Sequence, residues 1–101
     1  MTKKYSTPWE VGSLFICNKC GAKFNQPDLA ESLKSSLRKV LKARDENKKI
    51  RVIVSGCLDV CYPEEQSFAF MPKSGETEVY TTQLDEKIAF DDIQKLINEK
   101  I

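Results

Sequence analysis

Residues 50–57, IRVIVSGC, form a β-branched apolar run that stops at a glycine and a cysteine. Branched side chains fit a pleated sheet better than a helix. The run is too short for a helix and is punctuated by Gly56, so it predicts a strand delivering Cys57 into a loop. Cys61 follows in SGCLDVC. Upstream, Leu14, Phe15 and Ile16 make a second short apolar run that ends at Cys17, and Cys20 follows in ICNKC. Two predicted strands therefore each feed a close pair of cysteines.

The segment between them reads as a helix. Asn25 can cap it, Pro27 suits its first turn, and Asp28 favours the positive end of the dipole. Leu29, Leu33, Leu37, Val40 and Leu41 fall on one face at helical spacing. Lys39, Lys42 and Arg44 sit near its carboxyl end, and DENKK (45–49) is a charged turn. Downstream, SFAFMP (67–72) and TEVYTT (77–82) read as strands joined by a turn on Gly75. FDDIQKLINEKI (90–101) predicts a closing helix, with Asp91 and Asp92 in its first turn and Ile93, Leu96 and Ile97 on one face.

A strand–helix–strand unit implies a parallel pair with a right-handed crossover. The later hairpin is antiparallel. The predicted fold is α/β: a thioredoxin-like mixed β-sheet (βαβ…ββα) with helices packed on it, over residues 13–101. Residues 1–12 carry Pro8 and Gly12 and read as an irregular lead-in, with Trp9 packed back on the body.

At 101 residues, 41% hydrophobic and 31% charged, the chain fits one globular domain. Its net charge of +1 and dispersed basic residues argue against nucleic-acid binding. No apolar run approaches the roughly 20 residues of a membrane span. No apolar stretch follows Lys3 and Lys4, so the N-terminus does not read as a secretory signal. A cytoplasmic location is expected, where thiols stay reduced and paired cysteines point to metal or redox chemistry. With no histidine, no glycine-rich phosphate loop and no carboxylate pair, hydrolytic chemistry has no support.

Cys17 and Cys20 are C-x2-C; Cys57 and Cys61 are C-x3-C. If the two strands are parallel neighbours, their carboxyl ends lie together, where open α/β sheets bind ligands. Four thiolates suit tetrahedral zinc or an iron–sulfur cluster. Each short spacing lets one loop chelate one metal atom with two sulfurs. Inert burial of the thiols is the bland alternative. Lys19 and Lys23 would favour thiolates, and N–H groups near Gly21 and Gly56 would donate to sulfur. Asp59, Glu64 and Glu65 would lower a potential or steer a basic partner, or would simply be solvated. Leu58 and Val60 are expected to shelter the site, and Phe15, Phe68 and Phe70 to be core.

The stretches LFIC (14–17), CGAK (20–23) with its following helix, IRVIVSGCLDVC (50–61), VYTTQL (79–84) and the last helix carry a resemblance. Together they resemble the thioredoxin-like [2Fe–2S] ferredoxins, over about residues 13–100. That resemblance implies Cys17, Cys20, Cys57 and Cys61 as cluster ligands, with one iron on each pair. It also implies one-electron transfer with a redox partner protein rather than conversion of a substrate, and commonly a homodimer. The chain departs from the family in two places. Only Asn18 and Lys19 separate the first two cysteines, where the family has a longer loop. CYPEEQ (61–66) has Pro63 but lacks the Gly-Pro that often follows the fourth ligand.

The short first loop favours an alternative, a structural four-cysteine zinc module whose metal ties two loops together. A second alternative is a thiol–disulfide protein using Cys17 and Cys20. Against it, Gly21–Gln26 separates Cys20 from the helix signal, no proline precedes the third strand to face a disulfide, and the second pair goes unexplained.

Overall fold

The computed structural model describes residues 1–60 and 62–101. Along the chain run β1 (Gly12–Cys17), α1 (Lys19–Ala22), α2 (Leu29–Ala43), β2 (Ile50–Ser55), β3 (Glu65–Pro72), β4 (Glu78–Gln83) and α3 (Glu86–Lys100). The four strands form one mixed sheet in the order β2-β1-β3-β4. β1 lies parallel to β2, with Cys17 opposite Ser55, and antiparallel to β3, with Leu14 opposite Phe70. β3 and β4 form the antiparallel hairpin, turned through Gly75 at φ 123. The α/β mixed sheet with helices packed on it is the fold expected from the sequence.

Strand alternation decides which side chains meet the helices. Leu14 and Ile16 of β1, Ile50 and Val52 of β2, and Phe68 and Phe70 of β3 point to one face. Leu29, Leu33, Leu37 and Leu41 of α2 pack on that face, beside Ala89, Ile93 and Ile97 of α3. Each large side chain buried there contributes about 1.5–3 kcal/mol over its exposed state. Polar links tie the layers at their margins. Arg38 of α2 donates to the carbonyl of Val52 at 2.8 Å, and Arg44 reaches Asn98 of α3 at 3.0 Å. Lys100 pairs with Glu78 of β4 at 2.8 Å. The Tyr80 hydroxyl also donates to Glu78, which pushes the tyrosine up to about 12. Lys100 and Tyr80 together hold Glu78 below the usual carboxylate value.

The opposite face carries Ser13, Phe15 and Cys17 of β1 and Ser67, Ala69 and Met71 of β3. Its Cys17 end is buried, while Met71 and Val79 are exposed. Phe68 and Phe70 are core as expected, whereas Phe15 is only half-buried, because it lies on this second face.

Two helix starts differ from the expected ones. Asn25 does not cap α2; it sits in a turn with a left-handed φ of 59. The carbonyl of Gly21 accepts from Phe24 and Gln26 and closes that turn, so helical φ/ψ resume only after Asp28. α3 starts a turn earlier than Asp91 and Asp92 suggest. The Asp85 side chain accepts from the N–H of Ile88 at 3.0 Å, an N-cap bond that the sequence reading passed over. Among the described residues, no helix is long and apolar enough to cross a membrane.

Candidate metal centre

The parallel pairing of β1 and β2 sets the site. Cys17 is the last residue of β1, and its partner Ser55 is the last of β2. The chain then passes Gly56 and reaches Cys57, so Cys57 lies just beyond the strand rather than at its end. The N–H of Asn18 bonds the Ser55 carbonyl at 2.9 Å, which fastens the two loops where they leave the sheet. Both cysteine segments therefore emerge from one end of the sheet.

Alternation turns Cys17 away from α2 and α3, onto the second face, where it is 0% exposed. Its Sγ accepts the N–H of Lys19 at 3.4 Å. Cys20 sits in α1, a single helical turn, at 6% exposure. Its Sγ accepts the N–H of Ser67 on β3 at 3.5 Å. Cys57 is exposed, and its Sγ accepts the N–H of Asp59 at 3.4 Å. Asp59 adopts a left-handed φ of 62 to present that N–H. Each of these three sulfurs thus receives a backbone donor. Lys19 and Asp59 lie close to Gly21 and Gly56 in the chain, where donors are expected, whereas Ser67 comes from β3.

The two glycines differ sharply in their surroundings. A Cβ on Gly21 would lie 2.2 Å from the Gln26 carbonyl oxygen, so the turn after Cys20 closes only over glycine. A Cβ on Gly56 would meet nothing within 4 Å. Close packing therefore requires glycine at position 21 and not at position 56.

Two residues that the sequence did not single out shape this end. Gln66 is fully buried on β3, and its Nε2 donates to the carbonyls of Cys17 at 2.8 Å and Ser67 at 2.9 Å. Its Oε1 is buried with no hydrogen-bond partner among the described residues. Ser67 holds the Cys20 sulfur with its N–H and donates its hydroxyl to the carbonyl of Val60. One β3 residue thereby ties both cysteine segments to the sheet. The signal was slight: two polar residues at the start of a strand otherwise read as apolar.

The charged neighbours divide. Lys19, Lys23, Asp59 and Glu64 are exposed, whereas Glu65 opens β3 and accepts the Thr81 hydroxyl at 2.8 Å. Leu58 and Val60 are half-buried. Cys61, the fourth expected ligand, lies outside the described residues. Among the described residues, no three histidine, cysteine, aspartate or glutamate side chains gather as a metal-binding group. The Cys17–Cys20 segment and the Cys57 segment share an end of the sheet without closing on a single point. No known family model, curated protein or solved structure matches this chain, so the reading of the site rests on its own residues.

Proposed function

We propose that Cys17, Cys20, Cys57 and Cys61 hold a [2Fe–2S] cluster, and that the protein is a ferredoxin-like carrier of single electrons in the cytoplasm. The observation that carries this reading is the exit of both cysteine segments from one end of a parallel strand pair, with backbone N–H groups aimed at the Cys17, Cys20 and Cys57 sulfurs. When bound, such a cluster accepts and releases one electron, so the chain itself needs no catalytic side chain.

The residues have distinct tasks in this proposal. β1 buries Cys17 and keeps water from its sulfur. The N–H groups of Lys19, Ser67 and Asp59 offset negative charge on the thiolates, which raises a reduction potential. Exposed Asp59 and Glu64 act the other way and offer a basic redox partner protein an acidic surface. Gln66 fixes the backbone of Cys17.

The zinc alternative requires four sulfurs about 2.3 Å from one centre. A cluster differs in giving each cysteine pair its own metal atom. A thiol–disulfide protein would need Cys17 as an accessible nucleophile, and its complete burial disfavours that role. Electron paramagnetic resonance of anaerobically purified, dithionite-reduced protein tests the proposal. A paramagnetic signal that disappears on reoxidation is expected. Its absence, or thiol-exchange activity that survives Cys57→Ser with Cys61→Ser, would overturn the carrier reading.

A further inference from the structure

A cavity of about 580 Å³ opens beside the amino end of β2, the end away from the cysteines. β2 spans about 20 Å, so this site is separate from the proposed cluster. Leu41, Ile50 and Val52 supply apolar lining, and Asn47 adds an amide. Arg38, Lys42, Lys48 and Arg51 place four cations around it, and the lining holds no carboxylate. The ion pairs of the described residues are Lys34–Glu31, Arg44–Glu46 and Lys100–Glu78, so none of the four cations is neutralised. Glu46, in the adjoining turn, is already taken by Arg44 at 2.7 Å.

The aromatic component is Trp9. It packs back on the body as the sequence suggested, and the guanidinium of Arg51 lies 4.9 Å from its ring centroid. An indole beside a guanidinium offers flat surfaces on which a planar ring stacks. Uncompensated lysines and arginines suit phosphate oxygens. The volume lies within the range of small-molecule sites.

A peptide adding as a strand is the competing occupant, because β2 is an edge strand. Arg38 already occupies the outward carbonyl of Val52, an acceptor that such a strand would need. The edge is thereby blunted against pairing. We infer that this cavity binds a mononucleotide, its base against the Trp9–Arg51 pair and its phosphates on Lys42, Lys48 and the outer nitrogens of Arg38.

Trp9 is the only tryptophan of the chain, so its fluorescence reports directly on the site. The experiment titrates the full chain with ADP, adenosine, inorganic phosphate and a glutamate-rich peptide. Saturable quenching by ADP is expected, with adenosine and phosphate each at least about tenfold weaker, since each keeps only one of the two recognition elements. Lys42→Glu with Lys48→Glu alters two exposed side chains that take part in none of those ion pairs, so the fold persists and ADP quenching falls at least about tenfold. The same affinity is expected with Cys57→Ser and Cys61→Ser, whatever metal the cysteines hold. No saturable response to ADP, an unchanged response in the lysine double variant, or preference for the peptide would overturn the assignment.

Discussion

The first cysteine pair and the loop of Cys57 leave the same end of the sheet, yet they are held in different ways. Cys17 and Cys20 are buried, and β3 reaches both of them: Gln66 bonds the Cys17 carbonyl and Ser67 the Cys20 sulfur. Cys57 is exposed and is steadied by a bond to the N–H of Asp59, a neighbour in its own turn. One half of the proposed site is buried against β3; the other lies exposed and is tied to β3 only through the loop, at the carbonyl of Val60. In the proposed function, such a division would let the cluster enter from the loop side while the sheet fixes the buried cysteines.

The glycines should break this comparison most strongly. Gly21→Ala forces a Cβ against the Gln26 carbonyl and should cost about 3 kcal/mol in urea unfolding. Gly56→Ala meets open space, so it should be neutral or stabilising by up to about 1 kcal/mol. Equal costs would mean that the turn after Cys20 is not the rigid half.

Serine substitutions sharpen the same contrast. Cys17→Ser buries a hydroxyl in place of a thiol and should lose about 1–3 kcal/mol in the metal-free protein. Cys57→Ser is exposed and should stay within about 0.5 kcal/mol of the parent. Both should abolish cofactor binding, so stability without metal is the measurement that separates them.

Gln66→Met tests the sheet's hold on Cys17. It removes two hydrogen bonds and also the buried, unpartnered Oε1, which partly cancel, so a loss of about 1 kcal/mol is expected. Faster loss of bound metal on dilution should accompany it.

The smallest effect lies far from both regions, at Tyr80 and Glu78. Tyr80 is raised from 10.0 to about 12, mainly by its bond to Glu78. Its contribution is therefore complete below pH 10 and is lost as pH rises through about 12. Glu78 is lowered, chiefly by Lys100, so its contribution is present above its usual 4.5 and fades as pH falls below it. Tyr80→Phe should flatten the alkaline limb of the stability–pH curve while leaving the cysteine end unchanged, as read by thiol accessibility.

The difference between the two regions also explains what the sequence could show. The parallel strand pair was legible because IRVIVSGC and LFIC have the composition of buried strands around a helix whose leucines fall every fourth residue. Alternation then fixed the burial of Leu14 and Ile16. The start of α2 was misread because Asn25, Pro27 and Asp28 are all good amino-terminal residues. The deciding contact, the Gln26 N–H on the Gly21 carbonyl, closes a local turn that the amino-terminal residue types do not announce. Asp85 is a good capping residue type, but the expected helix begins at Phe90, with Asp91 and Asp92 in its first turn. The donor to Cys20 could not be assigned from spacing, since Ser67 reaches it across 47 positions of sequence.

The most direct test of the central claim is metal and sulfide analysis, with a visible absorption spectrum, on protein purified without oxygen. A red-brown protein with two irons and two acid-labile sulfides per chain is the predicted result. A colourless protein with one zinc per chain, or with no metal at all, would contradict it.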